Sequence, residues 1–171
     1  GGRRIKVKLN IAKIIIITYH RYVDMAKKKL YTIGYEGLTP RALLATLKAN
    51  NVAVVIDVRE VANSRKPGFS KSQLDSRLKR AGISYIHFKS LGSPAPVRKK
   101  YKKDGDFTYF ARAYAKNLKK EMAILRLAAL HAVKERCCLL CFEEEAEKCH
   151  RSLVANEVAK QNGGSIIVEH L

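Results

Sequence analysis

The chain is 171 residues long, enough for one domain and a short appendage. Its 47% hydrophobic and 29% charged shares are ordinary for a globular protein, which excludes disorder throughout and a disulfide-held miniprotein. Charge is the departure: 34 Lys and Arg against 15 Asp and Glu leave a net +19, a field that favours phosphate-rich partners, nucleic acid above all, or else clothes a heat-adapted protein.

Residues 1–29 read as a basic N-terminal extension, with nine Lys and Arg against the single acid Asp24, a net +8. Met25 followed by alanine and three lysines would make a natural start, and the β-branched run at 11–19 is expected to form an edge strand. Residues 30–171 read as one α/β domain. A strand is expected at 30–34, then a helix capped by Thr39 with Pro40 at its first position and Leu43, Leu44 and Leu47 as its inward stripe. The continuous apolar run at 52–57 suits a strand buried on both faces. Ser70 and Gln73 form a capping box for the next helix, with Phe69 positioned to staple on Leu74 and Gly82 as its stop.

A strand follows at 83–88, and the proline-rich segment 91–96 reads as a loop. Phe107, Phe110, Ala111, Tyr114 and Leu118 recur at helical spacing, and a second helical stretch runs to about Glu135 after a break near 117–120. A strand at 137–142, a helix at 149–161 and a strand at 165–168 complete the chain. This alternation predicts an α/β fold with a mainly parallel sheet and helices on both faces. No apolar run approaches the about 20 residues of a membrane span. All four cysteines (Cys137, Cys138, Cys141 and Cys149) fall in the last 35 residues, a clustering expected of reduced thiols in a cytoplasmic protein.

In an open parallel sheet the ligand crevice lies beyond the carboxyl ends of the strands. Those ends carry Gly34-Tyr35-Glu36-Gly37, Asp57-Val58-Arg59 and Cys141-Phe142-Glu143, and the last helix opens with Cys149-His150-Arg151. Taken in order, Thr32-Ile33-Gly34-Tyr35, Asp57-Val58-Arg59 with Ser64, Leu91-Gly92, Cys141-x-Glu143 and Cys149-His150-Arg151 resemble the family catalogued as domain of unknown function 488, from about Leu30 onward. Ala62 stands where that family's pattern has a proline, and Ser93 where it often has a second glycine. The resemblance implies no particular reaction, so function rests on the residues themselves.

Cys141, at a strand end near a helix N-terminus with His150 and Arg151, is the candidate nucleophile; its alternative is an inert core thiol. Asp57, Glu143 and His150 are the candidate proton handlers, Asp57 serving as base or as the group that orients His150. Glu144, Glu145 and Glu147 complement the start of the last helix. Cys138-x-x-Cys141 is not read as a redox or zinc motif, because residues three apart on a strand point to opposite faces. Cys137 and Cys138 read as small apolar residues, and Cys141, Cys149 and His150 lack a fourth metal ligand, so no metal site is expected.

Arg59 and Arg151 either clamp an anion, with Ser64 and Tyr35 beside them, or form internal ion pairs with Asp57 or Glu143. Tyr35 either stacks on a base or packs. Two basic loops, carrying Arg65 and Lys66 and then Arg98, Lys99, Lys100, Lys102 and Lys103, are expected to hold a nucleic-acid backbone. The chain is thus expected to be a cytoplasmic protein with an anion-binding crevice: a thiol-dependent transferase or hydrolase for a nucleic acid or other phosphate-bearing substrate, or a non-catalytic nucleic-acid-binding module. No pattern in the sequence names a cofactor.

Overall fold

The computed structural model describes residues 27–171; the expected start at Met25 and edge strand at 11–19 lie outside the described residues. Five strands, β1 (Lys28–Gly34), β2 (Val54–Asp57), β3 (Ser84–His87), β4 (Cys137–Cys141) and β5 (Ile166–His170), form one sheet in the order β3-β2-β4-β1-β5. Every pairing is parallel, so the expected α/β architecture is the one observed. Six α-helices stand among the described residues: α1 (Pro40–Ala49), α2 (Lys71–Arg80), α3 (Ala95–Asp104), α4 (Phe107–Leu118), α5 (Met122–Lys134) and α6 (His150–Gln161). None is long and apolar enough to cross a membrane.

Helices cover both faces because the central strands are apolar on both. On one face, Leu43 and Leu47 of α1 and Leu74 and Leu78 of α2 pack with Tyr31, Ile33, Val55, Cys138 and Leu140. On the other, Phe110, Tyr114, Leu125 and Val154 of α4, α5 and α6 pack with Leu30, Val54, Ile56, Cys137, Leu139 and Cys141. Cys138 and Cys141 thus face opposite layers, as strand alternation requires. Burial in this core pushes the Cys137 thiol up to about 12 and raises that of Cys138 too.

The helix signals act as the sequence predicts, with two exceptions. Thr39 Oγ1 accepts from Ala42 N at 3.1 Å to cap α1, and Gly82 takes φ +76° just past the end of α2. The capping box at α2 does not close: the Ser70 side chain makes no cap bond, and Gln73 Oε1 instead accepts from Gly68 N at 2.9 Å. The second basic loop is a helix. Pro94 and Pro96, which mark a loop in the sequence, instead start α3, where the first turn needs no N–H from them, and Gly105 closes it at φ +70°. Residues 98–103 therefore share a helix surface and cannot all face one ligand.

The connections fix where a crevice opens. After β1 and β2 the chain leaves toward the face of α1 and α2, whereas after β4 it leaves toward the face of α6. β4 lies between β1 and β2, with Gly34 paired to Cys141 and Asp57 to Leu140. Neighbouring connections that part to opposite faces open a crevice at this carboxyl edge. The loop after β4 crosses directly over Gly34, where an added Cβ would lie 1.7 Å from the Glu143 carbonyl oxygen. Gly34→Ala should therefore push that loop off the sheet. A destabilisation of at least about 1–3 kcal/mol is expected in urea unfolding; an unchanged midpoint would show that the loop is not held against β1.

Candidate functional site

Two lobes of one cleft, about 540 and 510 Å³, open at this edge and share Phe142 as well as polar residues that include Ser93, Lys102, Glu143 and His150. Cys141 lines the first lobe, and Cys149 the second.

Beneath the first lobe, Asp57 is fully buried at the end of β2 and Arg59 curls back onto it. Arg59 Nε donates to both carboxylate oxygens (2.9 and 3.1 Å), its Nη2 to Oδ2 (2.5 Å), and its Nη1 to Tyr35 Oη (2.7 Å) and the Phe69 carbonyl (2.9 Å). Tyr85 Oη adds a 2.6 Å bond to Asp57. Burial works against the Arg59 charge, but the Asp57 carboxylate outweighs it and raises the Arg59 pKa. Burial and the same carboxylate raise that of the Tyr85 phenol. The internal ion pair is thus realised at Arg59. Tyr35 stacks on Phe69 at 4.3 Å between ring centres and meets Phe142 edge-on, so its faces are spent on packing.

Arg151 is 1% exposed and lines neither lobe. Its Nε donates to Thr32 Oγ1 (3.3 Å), Nη1 to the Glu143 carbonyl and Nη2 to the Glu144 carbonyl (2.8 Å). The guanidinium expected to meet an anion instead ties the loop after β4 to β1.

Cys141, at the end of β4, and Cys149 and His150, at the start of α6, gather around Glu143 of that loop. Cys141 Sγ and Cys149 Sγ donate to the same Glu143 oxygen at 3.0 and 3.1 Å. His150 Nδ1 lies 3.7 Å from Cys141 Sγ and 4.0 Å from Cys149 Sγ. His150 Nε2 sits 2.8 Å from the Val58 carbonyl, an acceptor only, so Nε2 carries a proton and Nδ1 faces the sulfurs. The expected orienting group, Asp57, is occupied by Arg59 and Tyr85; the β2-end carbonyl orients His150 in its place. Burial would lift the Glu143 carboxyl, but hydrogen bonds from the two thiols and the nearby His150 hold it below its ordinary value. Burial likewise opposes the His150 charge, yet contact with Cys149, the Val58 carbonyl and Glu143 raises its pKa. Burial and the adjacent Cys141 push the Cys149 thiol well up.

The basic residues divide by what already holds them. Arg98 pairs with Glu60 at 2.7 Å and donates to the Ser93 carbonyl, and Lys148 pairs with Glu145 at 2.6 Å. Lys100 pairs with Asp104, and Lys99, Lys100 and Lys103 line neither lobe. Arg65, Lys66 and Lys102 line the first lobe and have no carboxylate partner among the described residues, Lys66 resting on the Tyr35 and Glu36 carbonyls. Ser64 Oγ accepts from Lys66 N at 3.1 Å and so shapes this loop. Sequence reasoning passed over Glu60, Ser93 and Cys149's capping of Arg151 N. Ser93 is 2% exposed and its Oγ has no hydrogen-bond partner among the described residues, a buried polar atom facing a cleft that no sequence motif marks.

Against known proteins, the model of the family described as "Domain of unknown function DUF488" matches residues 39–158. That span takes in every motif from Asp57-Val58-Arg59 to Cys149-His150-Arg151. No curated protein and no solved structure gave a match.

The Asp57–Arg59 pair is testable by itself. Asp57→Asn leaves a buried guanidinium without its counter-charge, so urea unfolding should show a loss of about 3–5 kcal/mol. A loss below about 1 kcal/mol, the worth of an exposed pair, would mean that Arg59 is not buried on Asp57.

Proposed function

The chain belongs to the DUF488 family, and from the cleft just described we propose that it binds a nucleic acid or a similar phosphate-bearing chain and acts on it by thiol-dependent transfer or hydrolysis. One observation carries this reading: three cations without carboxylate partners, Arg65, Lys66 and Lys102, line the same lobe as Cys141, Glu143 and His150. Setting aside the ion pairs, the first lobe holds Arg65, Lys66 and Lys102 against Glu36 and Glu143, whereas the second holds Lys102 against Glu36, Glu143 and Glu144. Phosphate therefore belongs to the first lobe. The second offers Tyr101, Phe110 and Phe142, aromatic surface on which a base can stack. The unpaired Ser93 Oγ, common to both lobes, is a hydrogen-bonding atom for the same ligand. Cys141 is the thiol that reaches the phosphate lobe, and His150 Nδ1 is the nitrogen beside it. Four free cysteines suit a reducing, cytoplasmic setting.

A second reading, the non-catalytic nucleic-acid-binding module, draws on the internal use of Arg59 and Arg151. With those guanidiniums bound to the protein, the basic walls alone would recognise the ligand, and the buried polar edge would be structural.

A single set of variants separates these readings. Wild-type protein should bind a single-stranded oligonucleotide with an affinity that falls as salt rises. Replacing Arg65, Lys66 and Lys102 together with glutamine should flatten the slope of log K against log salt by about 2, at about 0.7 for each single-strand phosphate no longer neutralised. The same change at Lys99, Lys100 and Lys103, which line neither lobe, should leave most of the slope in place. Binding that is absent at low salt, or indifferent to the first set, contradicts the proposal. Cys141→Ser should leave binding intact and abolish release of product from an end-labelled oligonucleotide. If wild-type protein binds and releases none, the binding module is the correct reading.

A further inference from the structure

We propose that Cys141, Glu143, Cys149 and His150 form a four-ligand site for a divalent transition metal, with Zn2+ the best-suited ion. The sequence argues against a metal because Cys141, Cys149 and His150 show no fourth ligand beside them. Folding supplies the fourth: two sulfurs, one imidazole nitrogen and one carboxylate oxygen all lie within 4.8 Å of one another. This inference names the part the thiols play in the proposed active site, but the metal geometry stands whether or not the cleft binds nucleic acid.

Three features point to a metal rather than to a chance meeting of polar groups. The first is spacing. With Zn–S of about 2.3 Å and Zn–N of about 2.0 Å, a tetrahedral site has S–N edges of about 3.5 Å. The two sulfur-to-Nδ1 distances, 3.7 and 4.0 Å, are already close to that. The carboxylate oxygen is nearer to the sulfurs, at 3.0 and 3.1 Å, so a modest swing of the Glu143 side chain makes room for the ion.

The second is tautomer control. A histidine that ligates a metal nearly always gives its other N–H to a carbonyl or carboxylate, which fixes the ring and leaves the ligating nitrogen free. His150 does this through Nε2 to the Val58 carbonyl at 2.8 Å, with Nδ1 turned to the two thiols.

The third is the support of the ligands. Cys141 ends β4, Cys149 is the N-cap of α6, and His150 is its first residue. Glu143 lies between them on the loop that Arg151 pins through the carbonyls of Glu143 and Glu144. The four donors therefore sit on parts of the fold already fixed before any ion arrives. Two thiolates exclude magnesium and calcium, which take oxygen ligands, and a tetrahedral set with sulfur and imidazole suits zinc. Glu143 is the only ligand of the four that is not buried, so it is the one a substrate oxygen arriving from the cleft can displace.

Zinc content and thiol protection test the site without any substrate. Full-length protein, purified without a histidine tag under reducing conditions, should carry about one zinc per chain by elemental analysis. Stripped with a chelator, it should take up Co2+ with the intense sulfur-to-cobalt absorption and visible bands of a tetrahedral thiolate site. Zinc should protect Cys141 and Cys149, but not Cys137 or Cys138, from alkylation mapped by mass spectrometry. Cys149→Ser should lower zinc affinity at least about tenfold. Since that variant risks misfolding, the cobalt spectrum and protection map of the wild-type chain decide in their own right. Absence of bound zinc together with no thiolate-to-cobalt band, or protection that ignores Cys141 and Cys149, overturns the metal site. The proposed nucleic-acid cleft would fail separately, in the salt-dependence experiment.

Discussion

The structure of the carboxyl edge depends on one buried guanidinium. Arg151 joins four parts of the chain: it stands in the first turn of α6, bonds Thr32 of β1, holds two carbonyls of the loop after β4, and meets β5 through Thr32, whose hydroxyl lies 2.7 Å from His170 Nδ1. A charge that deep is costly unless its protons are satisfied, and here carbonyl and hydroxyl oxygens satisfy them with no carboxylate in salt-bridge reach among the described residues. The loop is thus held by the same bonds that make the buried charge tolerable. Glu143 comes to lie between Cys141 and Cys149 as a result, and Gly34 is required beneath it because no side chain fits there.

Asp57 and Arg59 do the corresponding task on the other side of the cleft. Their ion pair fills the end of β2, packs Tyr35 between Arg59, Phe69 and Phe142, and leaves the Val58 carbonyl free to accept a hydrogen bond from His150 Nε2. The groups that look most like anion ligands are therefore the frame, and the proposed recognition rests on surface cations. This division follows from solvation: a guanidinium buried among acceptors cannot also face water, whereas Lys102 and Arg65 are exposed.

Much of the fold is legible in the sequence because each element carries its own local signal. Thr39-Pro40 marks a helix start, Gly82 a stop, and the apolar run 52–57 a strand covered on both faces, of which Val54–Asp57 pairs. In the proline segment 91–96, residues 92–94 are loop as the sequence suggests, but Pro96 falls within α3, because proline serves a loop and a first helical turn equally well; packing of Val97 and Tyr101 against the core decides it. At the site, the sequence shows which residues gather but not how they bond. Whether Arg59 meets Asp57 or a ligand depends on side-chain geometry that no spacing encodes. Glu143 stands out as a candidate carboxylate, yet its place between two thiols arises from the loop that Arg151 folds back.

In the proposed binding mode, ligand enters over the Cys141–Glu143–Cys149–His150 cluster, between the basic wall at 65–66 and α3. Amide chemical-shift mapping of isotope-labelled protein, titrated with a short single-stranded oligonucleotide, is the decisive test of that path. Shifts should concentrate at Arg65, Lys66, Ser93, Lys102 and residues 141–150, with α5 and the amino-terminal edge of the sheet unaffected. Shifts confined to the basic groove at Lys27, Lys28, Lys134 and Arg136, on that opposite edge, would contradict it.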